Sequence, residues 1–341
     1  MKIEPRDEQC YHWSVLDPGN LEIVELWIDD AGEVCMFGEL PRDTYAVIGS
    51  FDGVHLGHVM VMDQALDRTI VGPHTVIFFD PHPHSFFKPA DPPFRLSRIQ
   101  QQTKMFNGLD MDYAVIVRFD ANLARMSPED FAHKVLKKAL GIAFIGCGFD
   151  FNFGAKGAGK AEDLKAFGDK YGFEVAVLPQ QDGPDGRKLS STAVREALRQ
   201  ADLKTVEAIL GRPWIILAEV IDGARQGRTI GFPTLNMELG PYVRPKYGVY
   251  VTESRINGGP WIRGVSNIGI RPTVGGDIEL LETYLFDFDE DVYGAFVETA
   301  LLEYLRPEAK FDSFEDMKIE IARDVERAKA WFAAGTATDD A

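Results

Sequence analysis

The fold of the first half is decided by the stretch Gly49-Ser50-Phe51-Asp52-Gly53-Val54-His55-Leu56-Gly57-His58. The apolar run Tyr45 to Ile48 before it predicts a strand, and the periodic stretch Val59 to Ile70 after it predicts a helix. Two histidines spaced i, i+3 therefore lie on one face where a strand meets a helix. Free N–H groups at a helix start favour anions, and glycines let a ligand approach the backbone. We interpret the stretch as a phosphate-binding loop; the alternative is a glycine turn with two surface histidines.

Length and charge narrow the class of protein. The chain has 341 residues, which predicts two domains. Its net charge of −17 argues against a nucleic-acid partner, and any nucleotide site must rely on local arginines, helix ends or a metal ion. Three cysteines without paired spacing predict neither a disulfide framework nor a zinc site. Without a secretory signal or an apolar run of about 20 residues, we expect a cytoplasmic protein with no membrane partner.

Short apolar runs alternate with helical patterns over residues 45–212. This alternation predicts a parallel sheet with helices on both faces, a doubly wound, Rossmann-like α/β domain. Ligands of such sheets bind at the carboxyl ends of the strands, where His55 and His58 fall. The strand candidates are Tyr45–Gly49, Thr75–Phe79, Tyr113–Val117, Ala143–Cys147 and Glu174–Leu178.

The pattern changes near Pro213. Apolar runs separated by glycine-rich turns over residues 213–335 predict an antiparallel β-barrel, closed by a C-terminal helix that begins at Ser313. Residues 336–341 are expected to form a frayed tail. Residues 1–44 form a separate N-terminal extension with a predicted β-hairpin; we assign it no chemistry and expect an accessory element or a docking surface for an unknown partner.

Three further motifs fit the first site. The stretch Asp80-Pro81-His82-Pro83 follows a predicted strand, and its alternative is a proline-rich turn. The stretch Gly148 to Gly154 alternates aromatic and polar residues that can hold a flat ring, although core packing is the commoner use of such phenylalanines. The stretch Leu189 to Arg195 opens a helix with hydroxyls and a guanidinium; it predicts a phosphate clamp, or a helix cap alone.

A second dense motif runs from Gly223 to Asn236. In an extended chain Thr234 and Asn236 face one side, where a hydroxyl and an amide oxygen suit Mg²⁺. The alternative is a β-turn with an edge strand. Farther along, Glu282 lies within an apolar strand pattern and can take a proton from a substrate hydroxyl, although most strand glutamates face solvent.

Together the four motifs of the first site resemble the adenylyltransferase module of the bacterial bifunctional riboflavin kinase/FMN adenylyltransferase (FAD synthetase) family. The resemblance implies a nucleotidyltransferase domain in which the histidines and the Ser190–Arg195 segment bind the ATP phosphates. The candidate ATP ligands are Gly49, Phe51, Asp52, His55, His58, Ser190, Ser191, Thr192 and Arg195. The candidates for the FMN or nucleotide loops are Asp80, His82, Asp150 and Asn152.

The stretch from residue 213 to 332 resembles the riboflavin kinase module of the same family. The resemblance implies that Thr234 and Asn236 bind Mg²⁺ and that Glu282 is the base on the riboflavin 5′-hydroxyl. Further candidates for nucleotide or flavin contacts are Gly227, Arg228, Gly231, Pro233 and Arg271. The chain departs from the family at Leu235, usually alanine, at Lys160, and in about 30 additional N-terminal residues.

The resemblance implies two reactions, with Mg²⁺ in both sites and riboflavin, FMN and ATP as ligands. Riboflavin is phosphorylated to FMN, and FMN is adenylylated to FAD with release of pyrophosphate. One rival is a chain with a single live activity, and another is a flavin-binding regulatory or interaction protein. A third rival adenylylates a different acceptor such as phosphopantetheine, which the kinase-like second half disfavours.

Overall fold

A computed structural model describes residues 18–66, 72–183, 186–222, 231–273 and 276–336. The chain forms two compact units. The first contains the described residues up to Asp91 together with Ile99–Ser190, and the second contains Pro92–Arg98 together with the described residues from Ser191 onward. The two helices that begin at Ser191 and Leu203, placed before the domain boundary by sequence, thus belong to the second unit.

The first unit is built on a sheet in which seven strands pair among the described residues. Their order is β2-β1-β5-β4-β3-β6-β9, and the pairs are parallel except β1 with β2. A separate two-stranded pair joins β7 to β8. The strands are β1 (Glu22–Ile28), β2 (Val34–Phe37), β3 (Thr44–Ile48), β4 (His74–Asp80), β5 (Tyr113–Arg118), β6 (Ile142–Gly148), β7 (Asn152–Phe153), β8 (Gly159–Lys160) and β9 (Glu174–Leu178).

Helices cover both faces of this sheet, which confirms the doubly wound α/β prediction. Ile77 and Phe79 of β4 enter one apolar cluster, while Val76 and Phe78 enter the other. Because both faces are buried, the strands are continuously apolar rather than alternating. The helices are α1 (Leu56–Ala65), α2 (Pro83–Phe87), α3 (Ile99–Gly108), α4 (Ala121–Arg125), α5 (Pro128–Asp130), which continues as a π-helix (Phe131–Ala139), and α6 (Ala161–Tyr171).

The N-terminal hairpin is part of this sheet rather than a separate element. Strand β1 pairs in parallel with β5, from Glu22 opposite Tyr113 to Leu26 opposite Val117. The side chains of Val24 and Leu26 are buried in the core. The apolar alternation of β1 is therefore used to extend the sheet, and β2 becomes its edge.

The second unit contains a closed barrel of antiparallel strands, as predicted. The order is β10-β11-β14-β13-β12-β15, and β15 returns to pair with β10. One end of the final helix packs Val325, Ala328 and Phe332 against Val249 and Val251 of the barrel. The elements are α7 (Ser191–Gln200), α8 (Leu203–Leu210), β10 (Trp214–Ile221), β11 (Leu235–Glu238), β12 (Gly248–Ile256), β13 (Ile262–Thr273), β14 (Gly276–Leu285), β15 (Phe296–Arg306) and α9 (Phe314–Thr336).

A short segment from earlier in the chain completes the second unit. Residues Pro92–Arg98 belong to it although they lie between α2 and α3 in sequence. The buried Trp214 donates its indole N–H to the carbonyl of Leu96 at 2.8 Å. The backbone of Arg95 forms an isolated parallel β-bridge with that of Tyr242. The second unit is therefore not made from the C-terminal residues alone, which composition and motif order do not reveal.

Candidate active sites

The first candidate site lies where the strand order of the sheet reverses. The chain places β4 and β5 on one side of β3 and then returns to place β6 on the other side. Open parallel sheets bind ligands outside the carboxyl ends of the strands at such a reversal. The loops after β3, β4 and β6 all leave from this edge, so the topology brings together the three sequence motifs that follow these strands.

His55 and His58 adopt a close, defined arrangement at the start of α1. His55 is the N-cap of α1, and its Nδ1 accepts the backbone N–H of His58 at 3.3 Å. The two rings are stacked, with centroids 3.6 Å apart and an angle of 19° between their planes. Because Nδ1 of His55 is an acceptor, the proton of the neutral imidazole lies on Nε2 and can be donated. The shared helical face predicted from the spacing thus becomes a stacked pair.

The loop before His55 has a strained backbone, and a side chain of α3 stabilises it by hydrogen bonds. Phe51 and Val54 have positive φ angles of 47° and 39°, and Phe51 and Asp52 are buried. The buried Gln102 of α3 donates from Nε2 to the carbonyls of Ser50 at 3.2 Å and Phe51 at 2.9 Å. Such strain persists only where surrounding contacts enforce it. Gln102 is therefore a support of the loop.

Gly57 joins this loop to the fourth motif. A Cβ at Gly57 would lie 3.0 Å from both the Cβ and the carbonyl oxygen of Leu189, and 3.1 Å from Cε1 of His55. These distances leave little room for a side chain. The backbone just before Ser190 therefore packs directly against the two-histidine loop, within the first unit.

The motif after β4 begins another short helix. His82 is the N-cap of α2, and its Nδ1 accepts the backbone N–H of His84 at 3.1 Å. Asp80 is the last residue of β4, opposite Arg118 of β5. Beside them lies an aromatic cluster in which each pair of ring centroids is 5.3–5.5 Å apart, formed by Phe86, Phe87 and Phe119. Phe87 is 57% exposed, so a flat ligand ring can stack on this cluster.

The three phenylalanines of the motif after β6 differ in how far they are exposed to solvent. Phe153 is buried in the core, whereas Phe149 is 46% exposed. Asp150 and Asn152 are exposed, and Asn152 donates to the carbonyl of Asp150 at 2.7 Å. Lys160 donates from Nζ to Oδ1 of Asn152 at 2.6 Å. The lysine that departs from the family pattern thus fixes a predicted site residue.

Within the second unit, Ser191 begins α7, Thr192 is exposed and Arg195 follows one turn later. The guanidinium of Arg195 donates from Nε to the carbonyl of Phe94 at 2.8 Å and lies 5.0 Å from the centre of the Phe94 ring. The neighbouring Ser190 closes the first unit. One edge of the predicted clamp arginine is thus oriented by the Pro92–Arg98 segment.

The second candidate site is a cavity of about 330 Å³ in the barrel unit. It collects four predicted residues that are distant in sequence: Thr234, Asn236, Arg271 and Glu282. The last helix contributes Met317 and Ile321 to the lining. The other apolar lining residues are Phe232, Val249, Val265, Ile270, Leu280, Tyr284 and Phe311. A mostly apolar cavity with a few convergent polar groups is typical of a small-molecule site.

Glu282 lies between two asparagines in this cavity. It is opposite Asn236 of β11 on one side and opposite Asn267 of β13 on the other. Burial raises the pKa of Glu282 above its ordinary value, while the nearby Arg271 guanidinium and a hydrogen bond from Asn267 act in the opposite direction. Nη1 of Arg271 lies 3.9 Å from Oε1 of Glu282. A carboxylate with a raised pKa in an apolar cavity is suited to accept a proton.

Asn236 presents an unused oxygen. Its side chain is buried, and Oδ1 has no hydrogen-bond donor among the described residues, while Nδ2 donates to the carbonyl of Thr234 at 3.2 Å. A buried acceptor without a donor is costly unless a ligand completes it. Within the described ranges no group of three or more His, Cys, Asp or Glu side chains is placed to hold a metal. Neutral oxygens shared with substrate phosphates and water fit Mg²⁺ better than a transition metal.

Some of the remaining candidates for nucleotide or flavin contacts in the second unit lie among the described residues, and others do not. Gly227 and Arg228 lie outside the described residues. Gly231 has a φ of 87°, a left-handed conformation that suits glycine, and Pro233 is exposed. Two residues with site contacts were missed by sequence analysis: Gln102 on α3 and Glu308 in the cavity wall. Neither stands in a pattern that signals a site, because their roles depend on contacts distant in sequence.

Comparison with known proteins gives one answer for both halves. A family model described as FAD synthetase matches residues 38–193, and one described as riboflavin kinase matches residues 210–332. A curated relative from Haemophilus influenzae, named bifunctional riboflavin kinase/FMN adenylyltransferase, is 38% identical over 287 residues and covers 84% of this chain and 93% of its own. The Escherichia coli K12 protein of the same name is also 38% identical, with 84% and 91% covered.

A solved structure resembles this chain over most of its length. A Streptococcus pneumoniae crystal structure named as a macrolide-efflux protein matches with a TM-score of 0.74 and 29% identity, covering 86% of this chain and 96% of that one. A membrane span requires a long apolar helix with few charges, and the described helices of this chain include none of that kind.

Proposed function

Because the chain belongs to the bifunctional riboflavin kinase/FMN adenylyltransferase family, we propose that its barrel unit phosphorylates riboflavin and its α/β unit adenylylates FMN. The residue roles given below are part of that proposal. The observation that carries it is the cavity that gathers Thr234, Asn236, Arg271 and Glu282 from three strand regions of the barrel. Four predicted polar groups that meet in one cavity with apolar walls on several sides are typical of a small-molecule site.

In the kinase cavity Glu282 accepts the proton of the riboflavin 5′-hydroxyl as its oxygen attacks the γ-phosphorus of ATP. Its raised pKa makes the carboxylate a stronger base than an exposed glutamate. Arg271 keeps the carboxylate ionised and oriented at 3.9 Å. The apolar walls exclude water, which otherwise competes with the flavin hydroxyl for the phosphoryl group.

The residues around Asn236 fit Mg²⁺. Oδ1 of Asn236, which is buried and has no donor among the residues that the structure describes, and the hydroxyl of Thr234 would hold the ion beside the substrate phosphates. When bound, the ion neutralises phosphate charge during transfer. We propose Mg²⁺ in the adenylyltransferase site as well, arriving with ATP.

In the α/β unit the FMN phosphate attacks the α-phosphorus of ATP, and pyrophosphate leaves. His55 and His58 donate hydrogen bonds to the ATP phosphates from the start of α1, where backbone N–H groups also favour anions. The ligand lies at the carboxyl edge of the sheet, next to Gly49 and Asp52. The loops after β4 and β6 enclose it with Asp80, His82, Asp150 and Asn152. Ser190, the last residue of this unit, adds a hydroxyl to the ATP contacts. Cytoplasmic location remains a prediction.

The test uses the whole chain with riboflavin, ATP and Mg²⁺, and separates riboflavin, FMN and FAD by chromatography. The wild-type protein should form FMN and then FAD. Glu282→Gln should block FMN formation while FAD still forms from added FMN. His55→Ala should do the reverse, with a loss of FAD formation of about 10²–10³-fold, as for one transition-state donor. FAD formation at the wild-type rate by the His55 variant would contradict the first assignment, and normal FMN formation by the Glu282 variant the second.

A further inference from the structure

The cavity of the barrel unit contains a second carboxylate, Glu308, that belongs to none of the sequence motifs. Glu308 follows β15 and lines the same cavity as Glu282. Its carboxylate lies so close to Gly269 of β13 that a Cβ on Gly269 would overlap it. The absence of a side chain at Gly269 therefore creates the space that this carboxylate occupies.

The chain before Glu308 is firmly held. Arg306 donates to the buried Asp324 of α9, from Nε to Oδ1 at 3.1 Å and from Nη2 to Oδ2 at 2.7 Å. Nη1 of Arg306 donates to the carbonyl of Pro307 at 2.9 Å. A bidentate arginine–carboxylate pair fixes geometry as well as charge. Glu308 is thus presented to the cavity by a chain segment that is already ordered.

The carboxylate of Glu308 is available to a ligand. No hydrogen bond or ion pair to it is found across the described part of the chain, whereas the two cavity arginines are engaged by Asp324 and Glu282. An ionised carboxylate only accepts hydrogen bonds. Its negative charge disfavours a phosphate at this position, so the complementary group is a neutral donor such as a hydroxyl.

The spacing from Glu282 indicates which hydroxyls. Gly269 lies two residues from Asn267 on the same face of β13, and Asn267 is opposite Glu282. A strand rises by about 3.4 Å per residue, so the position over Gly269 is roughly 7 Å along the strand from that of the base. Two hydroxyls three carbons apart on a linear polyol can bridge such carboxylates with ordinary hydrogen bonds.

We propose that Glu308 binds a hydroxyl of the flavin's ribityl chain and thereby places the terminal 5′-hydroxyl at Glu282. This inference rests on the proposed kinase role of the cavity. It makes Glu308 a specificity residue for flavins that carry a polyol chain. The isoalloxazine ring is then left to the apolar walls.

The test compares riboflavin with lumiflavin, which has the same ring but a methyl group in place of the ribityl chain. We measure the riboflavin KM for phosphorylation and the inhibition constant of lumiflavin in the same assay, which reports on the kinase cavity alone. Glu308→Gln keeps the shape and weakens the acceptor. Gly269→Ala keeps the charge and displaces the carboxylate, a flexible group that can move away. Glu315→Gln, in the exposed first turn of α9, is the matched control.

Both cavity variants should raise the riboflavin KM about tenfold or more, the effect expected for a hydrogen bond to a charged group, and leave lumiflavin inhibition unchanged. The control should match the wild-type protein. Equal weakening of both ligands would place Glu308 at the ring and overturn the proposal, as would unchanged constants or a loss of kcat alone. Failure of the kinase assignment is separate, because it appears as normal phosphorylation by Glu282→Gln.

Discussion

Asn236 lies directly opposite Glu282 in the register of β11 and β14. Residues opposed in this way hold their Cβ atoms about 4.5–5.5 Å apart on one face of the sheet. The proposed metal ligand and the proposed base are therefore positioned by a single pair of strands. The rigidity of the barrel, rather than a loop, sets their separation.

Asn236→Ala should raise the Mg²⁺ concentration needed for FMN formation about tenfold or more. Loss of a residue that only hydrogen-bonds to a metal ligand already has an effect of that size. The reason is the loss of Oδ1, which is buried and has no donor in the described residues. Titration of FMN formation with Mg²⁺ measures the effect. Asn236→Asp keeps an oxygen at the site and should retain activity at ordinary Mg²⁺. An unchanged Mg²⁺ requirement in the alanine variant would show that the ion is held elsewhere.

As the pH is lowered, the rate of FMN formation should fall at a higher pH than it would if the base were a glutamate with an ordinary pKa. Burial raises the pKa of Glu282, and only the deprotonated carboxylate is a base, so activity falls as pH is lowered through the raised pKa. Arg271→Met removes the charge that opposes this shift and should move the acid limb to still higher pH. The measurement is kcat/KM for riboflavin against pH at saturating ATP. A limb that stays in place or moves to lower pH in the variant would argue against Glu282 as the base.

Gly57→Ala should reduce FAD formation strongly while FMN formation continues. The added Cβ would lie 3.0 Å from the backbone oxygen of Leu189 and 3.1 Å from the His55 ring, so the histidine pair must shift. A misplacement of about 1 Å costs about 10²-fold in rate, so the smaller shift required here should cost on the order of tenfold. Both activities are measured on the same preparation, which makes the kinase the internal control. Full FAD formation would mean that the loop tolerates the shift.

Gln102→Leu should destabilise the first unit and lower FAD formation. The substitution removes the Gln102 donor from both carbonyls, and the loss at the buried Phe51 carbonyl costs about 1–3 kcal/mol. Thermal unfolding and FAD synthesis report the two effects. Gln100→Leu, on the same helix, is the matched control because its side chain is only half-buried. Equal behaviour of the two variants would remove Gln102 from the support of the loop.

A fragment of residues 191–341 should be more stable than one of residues 213–341. The shorter fragment lacks α8, whose buried Val206 and Ile209 would otherwise cover apolar surface. Both fragments lack Leu96, the acceptor for the Trp214 indole, so each should unfold below the temperature of this unit in the whole chain. Thermal unfolding and FMN formation test the order. Equal stability of the fragments would make α7 and α8 dispensable to the barrel.

Local sequence was sufficient for the features that depend on neighbours in the chain. The strand before Gly49, the helix after it and the shared face of His55 and His58 follow from periodicity and spacing. The alternation of strands and helices predicts the parallel sheet, whose topology then places the motif loops at one edge. The extended stretch at Thr234 and Asn236 likewise predicts two oxygens on one face.

Contacts between distant segments were decided by the tertiary structure alone. The pairing of β1 with β5, the insertion of Pro92–Arg98 into the barrel unit, and the close approach of Glu308 to Gly269 join residues far apart in sequence. A pattern of apolar residues indicates which side chains face a core. It does not indicate which distant strand or loop packs against them. The sequence by itself therefore determined the elements and most candidate site residues. Packing decided which of them meet, because burial and hydrogen bonding are satisfied only when the whole chain has folded.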